Sequence, residues 1–566
     1  GIDVKGKVVL ADINQREEWW VTMPTLQAAY EGAAAIMTVQ RGGFAEIATD
    51  AMNCQDMCGP VTIPSLSISQ DDADYLMGLL NKGTVNVNLK VDNVVEPDGT
   101  SYNIVGKIPG KNPDEMVIIG DHYDVHFTGF QDNNCAVGLT LGIAKGMIDS
   151  EYQPERTIVF ILHGSEEYGA IDTPSDWSIG AWNQVFKVHP DWVGKALTYI
   201  NFVLPAYEFS DTTRTDSAPE LQTFIYDFAK NNEIAPKPEG CFAGGVVEGL
   251  ETYTYSDDFP YQIAGIPSAV NGFLLTDDGS DCFDFYYQIY HSQYDTKDTY
   301  NEAVFNYNLK FYGGLAIAID KSPCLELDFT NQYERLYETF DESIAKDVGA
   351  EATEFLAAMD EFKTVAMAAY EQTIALNKLY MEKLTEGATE EELQSIWEAA
   401  VQANEINLEA FKLVSDSFIM TTGGTDPIVG HQYYQDNILY MQDSIKSLKK
   451  GDVNNVIDNL LWYVNGYINY YAYYFDKEIV DQMYKQLHDN EGNLYWSTNK
   501  VLQDADVTDV TVELFNKYDT NGDFSTEIGV LEQQVTNQQS LLKELVAKEI
   551  AGLETVTAKL KEIDLS

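Results

Sequence analysis

Residues 116–124, MVIIGDHYD, and residues 156–167, RTIVFILHGSEE, decide how the rest of the chain is read. Each is an apolar run of strand length that ends in charged residues. Neither alternates apolar with polar, which is the pattern of a central strand covered on both faces. ALTYINFVL, residues 196–204, repeats it, and a helical stretch, AVGLTLGIAKGMI, separates the first two. Strands alternating with helices predict an α/β sheet, and in open sheets of that kind ligands bind beyond the carboxyl ends of the strands. The charged residues of these runs fall at those ends.

Toward the N-terminus, residues 1–95 alternate short β-like runs with helical ones. VKGKVVLADI reads as a strand, PTLQAAYEGAAAIMTV as a helix entering a strand, VTIPSLSIS as a strand, and DDADYLMGLL as a helix capped by Gln70 or Asp71. A small α/β module without chemistry of its own is expected there. From 326 onward strands disappear. Leu336, Phe340, Ile344 and Val348 recur every four residues, and Leu542, Val546, Ile550, Leu553, Val556, Leu560 and Ile563 keep a helical stripe. The expected organisation is 1–95, 96–325 and 326–566, the last all-helical. The aromatic-dense LWYVNGYINYYAYYF, residues 461–475, is read as helix packing rather than a ligand platform.

Composition narrows the function. The 566 residues include 90 Asp and Glu against 35 Lys and Arg, a formal charge of −55, so the surface repels phosphate backbones and nucleic acid is excluded as a partner. No run approaches the ~18 apolar residues of a bilayer span. Six cysteines are too few for a disulfide framework, although Cys54 and Cys58 in NCQDMCG could close a small loop in an oxidising compartment. Gly1 opens directly onto a strand-like segment, so the numbering is expected to begin after a processed leader. A secreted or cell-surface protein is the expectation.

Of seven histidines, five lie in the middle segment, and three of these sit beside carboxylates at the ends of predicted strands or in loops. His122 stands in GDHYD with Asp124, Asp132 follows in QDNNC, Glu166 and Glu167 end the strand RTIVFILHGSEE, and His291 opens HSQYDT with Asp295. Imidazole and carboxylate together suit zinc. Without a cation, Asp132, Glu167 and Glu166 converging on one pocket would repel each other.

In order and spacing these pieces resemble the cocatalytic zinc peptidases that include bacterial leucyl aminopeptidases and glutamate carboxypeptidase II. NIVGKIPG before the first motif and YSDDFPYQIAGIPSAV before His291 resemble that family's flanks. The resemblance implies His122 as a ligand of a first metal with Asp124 orienting it, Asp132 as a bridging ligand, Glu166 as general base, and Glu167 and His291 as ligands of a second metal. Residues 1–95 resemble a protease-associated domain, and the C-terminal helices, more loosely, the family's dimerisation domain, which implies a homodimer. The implied activity is hydrolysis of peptides. With only five arginines, a cluster clamping an acidic C-terminal residue is hard to assemble, which favours an aminopeptidase, and the acidic surface favours cationic peptides.

One departure stands out. Where the family has Asp completing the first metal site, this chain has Val203 in Tyr199-Ile200-Asn201-Phe202-Val203. One zinc is therefore expected, through Asp132, Glu167 and His291, and a second is in doubt. Glu208, Asp211 and His126 are the substitutes within reach in sequence. The alternatives are a catalytically impaired binding or scaffold protein, or a single-zinc enzyme resembling glutaminyl cyclase. Cys135 reads as a small buried residue rather than a nucleophile. Asp519, Asn521, Asp523 and Ser525 are spaced like the start of a calcium loop, but Phe524 replaces its glycine and Val530 its bidentate Glu, so a capped turn fits better than a calcium site.

Overall fold

The computed structural model describes residues 2–563 apart from 14–21, 42–47, 53–61, 93, 95–98, 168–177, 207–211, 232–244, 248–252, 255, 275–288, 423–426, 467–473, 483–499 and 519–521. Cys54, Cys58, Glu208, Asp211, Asp519 and Asn521 thus lie outside the described residues.

The N-terminal module is a parallel sheet in the order β1 (Val8–Ile13), β2 (Ala35–Gln40), β3 (Ser65–Ser67), with helix α1 (Thr22–Tyr30) crossing from β1 to β2 and α2 (Gln70–Leu80) following β3. The cap of α2 is Ser69, not Gln70 or Asp71: its hydroxyl accepts the Asp72 N–H at 3.1 Å, and the two acidic residues sit in the first turn, where the helix dipole favours them.

A seven-stranded mixed sheet forms the centre, in the order β4 (Ile104–Ile108), β6 (Arg156–His163), β5 (Asn112–His122), β7 (Ala196–Asn201), β10 (Ser268–Leu274), β8 (Thr212–Ser217), β9 (Gly245–Val247). The four middle strands are parallel. Their unbroken apolar runs are explained by two covered faces. Val117 and Ile119 of β5 join Ile158 and Phe160 of β6 on the side packed by α3 (Cys135–Asp149) and the later helix Glu302–Lys321. Ile118, Val159, Ile161 and Tyr199 face the other way, onto Val185, Trp192 and Tyr261. The alternation is that of a pleated strand; only the polarity contrast is missing.

Beyond residue 326 the described elements are helices, apart from a short ladder of Met420–Thr421 with Pro427–Ile428 and a single bridge from Thr421 to Val501. Ala352–Glu386, Glu390–Phe418 and Gly430–Leu448 all pack on a 36-residue helix, Ser525–Leu560. Leu542, Val546, Leu553, Val556, Leu560 and Ile563 are buried there, as their spacing predicts, while Ile550 is half-buried. The helices do not form a core of their own. One continuous apolar cluster runs from Val117 of the sheet to Ile563. A buried polar cluster fastens the same junction: Arg156 Nε donates to Glu115 at 3.0 Å, its guanidinium caps the carbonyls of Ile319, Asp320, Ser322 and Pro323, and Asn404 donates to Glu115 at 2.8 Å. Among the described residues no helix is long and apolar enough to cross a membrane.

Candidate metal centre

The strand order puts the sequence motifs at one edge of the sheet. His122 ends β5, Glu166 and Glu167 follow β6, and Phe202 and Val203 follow β7. Because Gly120 pairs with Asn201 in parallel register, His122 and Val203 stand at the same level beyond the strands. The structure brings His122, Asp124, His126, Asp132, Glu166, Glu167 and His291 together, and most of these side chains are buried.

Each ligand-type side chain is held by a neighbour. His122 Nδ1 lies 3.1 Å from the Asp124 carbonyl oxygen, an acceptor for the Nδ1 proton, and Nε2 lies 3.3 Å from Asp132 Oδ1. Asp132 spans two imidazoles, since its Oδ2 is 3.1 Å from His291 Nε2. Glu167 Oε2 lies 3.2 Å from His291 Nε2 and 3.0 Å from His126 Nε2. Val203 offers no donor side chain; its N–H is taken by Asn271 Oδ1 at 2.7 Å, and the Asn271 amide returns to the Val203 carbonyl at 2.8 Å.

Two carboxylates act on backbone rather than on the pocket. Asp124 accepts the N–H groups of Glu166 and Glu167 at 3.0 and 3.2 Å, and Asp295 accepts those of Gln131 and Asp132 at 2.8 and 3.1 Å. The second has no signal in sequence beyond lying four residues after His291. Three loops also carry non-glycine residues at positive φ: Phe127 at 55°, Ser165 at 64° and His291 at 53°. The bend at Ser165 explains why Glu166 and Glu167 do not point to opposite sides as on an extended strand; both reach the pocket, within 4.8 Å of His122 with their ligand atoms. Gly129, at φ 45°, is required where it stands, because a Cβ there would lie 2.4 Å from the Asp132 carbonyl and from Val125 Cβ.

Charge is unbalanced in this pocket. Burial, partly opposed by His122 and reinforced by Glu167, Asp257 and Asp132, pushes the Glu166 carboxyl well above its usual range. Burial disfavours a charged His122, yet Glu166, Asp124 and Asp132 outweigh it and raise that imidazole well above normal. Burial likewise opposes the charge of Asp132, but His122 and His291 hold its carboxyl below the usual range. The chain alone thus answers its clustered carboxylates with protons, and a divalent cation would supply the same positive charge. The buried Glu167 Oε1 has no hydrogen-bond partner among the described residues, which also fits a metal ligand. Two trios of ligand atoms lie within 4.8 Å of one another, His126–Glu167–His291 and His122–Glu166–Glu167. His126, only a substitute candidate by sequence, is therefore inside the cluster, while Asp132 touches both histidines beside it.

Cys135 is buried at the start of α3 with Sγ 3.2 Å from the Gln131 carbonyl, and burial pushes its thiol well up, as befits a packing residue. Asp523 accepts the Ser525 N–H at 3.0 Å at the head of Ser525–Leu560, a turn-capping contact.

The family model of peptidase family M28 matches residues 103–310, the segment that holds every side chain of the His–carboxylate cluster. A probable leucine aminopeptidase 2 of Aspergillus oryzae is 27% identical over 273 residues, 48% of either chain. A glutamate carboxypeptidase 2 homolog of Caenorhabditis elegans is 26% identical over 172 residues, 29% of this chain and 20% of that one. A zinc aminopeptidase from Bacillus subtilis superposes with a TM-score of 0.41 at 18% identity, over 56% of this chain and 70% of that one. This chain spans about half or less of the length of the curated relatives it matches. With ligand-type side chains at the ends of β5 and β6 and in the turns that follow, residues 103–310 are thus similar to peptidase family M28.

Proposed function

We propose that the protein is a zinc-dependent exopeptidase of the aminopeptidase type. The observation that carries the reading is the buried His–carboxylate cluster, whose excess negative charge calls for a divalent cation, with a carboxylate of raised proton affinity beside it. A zinc ion held there supplies activation of a water molecule at neutral pH and polarisation of the scissile carbonyl. Glu166 is the base: its carboxylate takes the water's proton and delivers it to the leaving amine, and a pocket that already favours the protonated carboxyl suits that second role. Asp124 fixes the Glu166–Glu167 backbone, and Asp132, between His122 and His291, keeps both imidazoles aimed inward.

The arginines support an aminopeptidase over a carboxypeptidase. Arg156 is consumed by the Glu115 cluster and Arg41 by Asp12 and Asp74 of the N-terminal module, so neither is available to a substrate carboxylate. The formal charge of −55 favours basic peptides with a free amine. The wider reading is of a secreted or cell-surface protein whose first 95 residues act as a protease-associated domain and whose C-terminal helices pair subunits; the contact of the N-terminal module with the His291 turn supports a role for it at the site mouth.

Glu166→Gln tests the assignment. Turnover of aminoacyl reporter substrates is expected to fall at least about a thousandfold, toward the upper end of general-base contributions, with zinc content unchanged. An active variant would remove Glu166 from the mechanism, and a wild-type protein inert with and without added zinc would favour the non-enzymatic alternative that Val203 suggests.

A further inference from the structure

The ligand count around Val203 leads to a further conclusion, which rests on the zinc reading above. We infer that the chain binds one zinc ion through His126, Glu167 and His291, so that His126 gives this centre a second imidazole while the position beside Val203 holds none.

Geometry carries the assignment. Ligands on a tetrahedral centre with bonds of ~2.0–2.2 Å sit ~3.4 Å apart. Glu167 Oε2 is 3.0 Å from His126 Nε2 and 3.2 Å from His291 Nε2, the two rings meet at 63° with centroids 4.5 Å apart, and all three ligand atoms lie within 4.8 Å of one another. All three residues are buried, His126 at 8% exposure. Two histidines and one glutamate form a known type of catalytic zinc site that leaves a coordination position open.

The competing trio fits zinc less well. His122, Glu166 and Glu167 offer one imidazole and two adjacent carboxylates, and using Glu166 there would remove the base. The residue that would complete it is Val203, which has no donor side chain and whose carbonyl is already held by the Asn271 amide, so turning that carbonyl to a metal would give up this hydrogen bond. His126 itself is delivered by a tight turn. Phe127 at φ 55° and Gly129 at φ 45° fold residues 125–129 back toward the strand end, and Gly129 packs against Val125 too closely for any side chain.

The test loads the full-length protein with zinc and counts metal and ligands. Elemental analysis is expected to give one zinc per chain, and zinc-edge X-ray absorption two imidazoles on it. His126→Gln should lower zinc affinity at least about 100-fold in chelator competition, whereas His122→Gln should change it by less than about threefold. Two zinc ions per chain, one imidazole per zinc, or a His126→Gln variant that retains the metal would each overturn the assignment. If His126→Gln does not fold, the imidazole count on wild-type protein decides alone. Activity is read separately: one zinc so bound without peptide turnover defeats the functional reading and leaves this one standing, while turnover with two zinc ions does the reverse.

Discussion

Asp124 and Asp295 do the same job at two places around the cluster: each sets a carboxylate on two consecutive backbone amides. Burial works against the charge of Asp124, but His122 and those amides outweigh it and hold its carboxyl below the usual range. Asp124→Ala leaves the Glu166 and Glu167 amides without an acceptor, and kcat is expected to fall about 10–100-fold with little change in KM, as when groups orienting a metal site are removed; an unchanged kcat would show that the loop is held by other contacts. These roles mark the boundary of what sequence discloses at this scale. His122, Glu166 and Glu167 were legible because each closes an apolar run, and Asp132 and His291 through the order and spacing of the motifs. Asp295 was not, since its partners lie more than 160 positions away and an Asp in a loop carries no mark of what it accepts. Nor was the inward placement of His126, which depends on the turn through Phe127 and Gly129.

Strands β5, β6 and β7 followed from their apolar runs, because burying both faces leaves so little freedom in residue choice, and the C-terminal helical stripe followed from periodicity. The short Met420–Thr421 ladder did not, since two residues hold no period. The junction between sheet and helices was also hidden. Read by composition, the chain changes character near 326, yet Arg156 at the start of β6 holds the end of helix Glu302–Lys321 and, through Glu115, reaches Asn404 in Glu390–Phe418. Arg156 is 0% exposed and Glu115 5%, so Arg156→Met would strand a buried carboxylate and several carbonyls. A loss of about 3–5 kcal/mol is expected in urea denaturation, with the α/β and helical parts unfolding together; two separate transitions would mean that the shared core does not couple them.

At the scale of the whole molecule the formal charge of −55 dominates. Self-repulsion of that size weakens the folded state and is screened by salt, so the thermal midpoint is expected to rise between about 20 mM and about 0.5 M NaCl; a fall would assign net stability to surface ion pairs instead. Acidity acts in the same sense through Asp504, which burial pushes up to about 6 from 3.8 despite the hydrogen bond from Tyr433. A carboxyl whose folded pKa is raised stabilises the fold most below its unfolded value, and that contribution is lost as pH climbs from about 3.8 through about 6. Asp504→Asn should flatten the decline of the thermal midpoint across that interval, and an unaltered slope would show that Asp504 titrates normally. The N-terminal module adds a last constraint. Its Asp50 carboxylate accepts the Tyr294 hydroxyl at 2.6 Å, and its Met52 N–H is taken by Gln293 at 2.9 Å, two and three residues past His291. Moving the N-terminal module would therefore pull on the turn that carries His291, so a displacement of residues 50–52 is transmitted to an imidazole of the cluster.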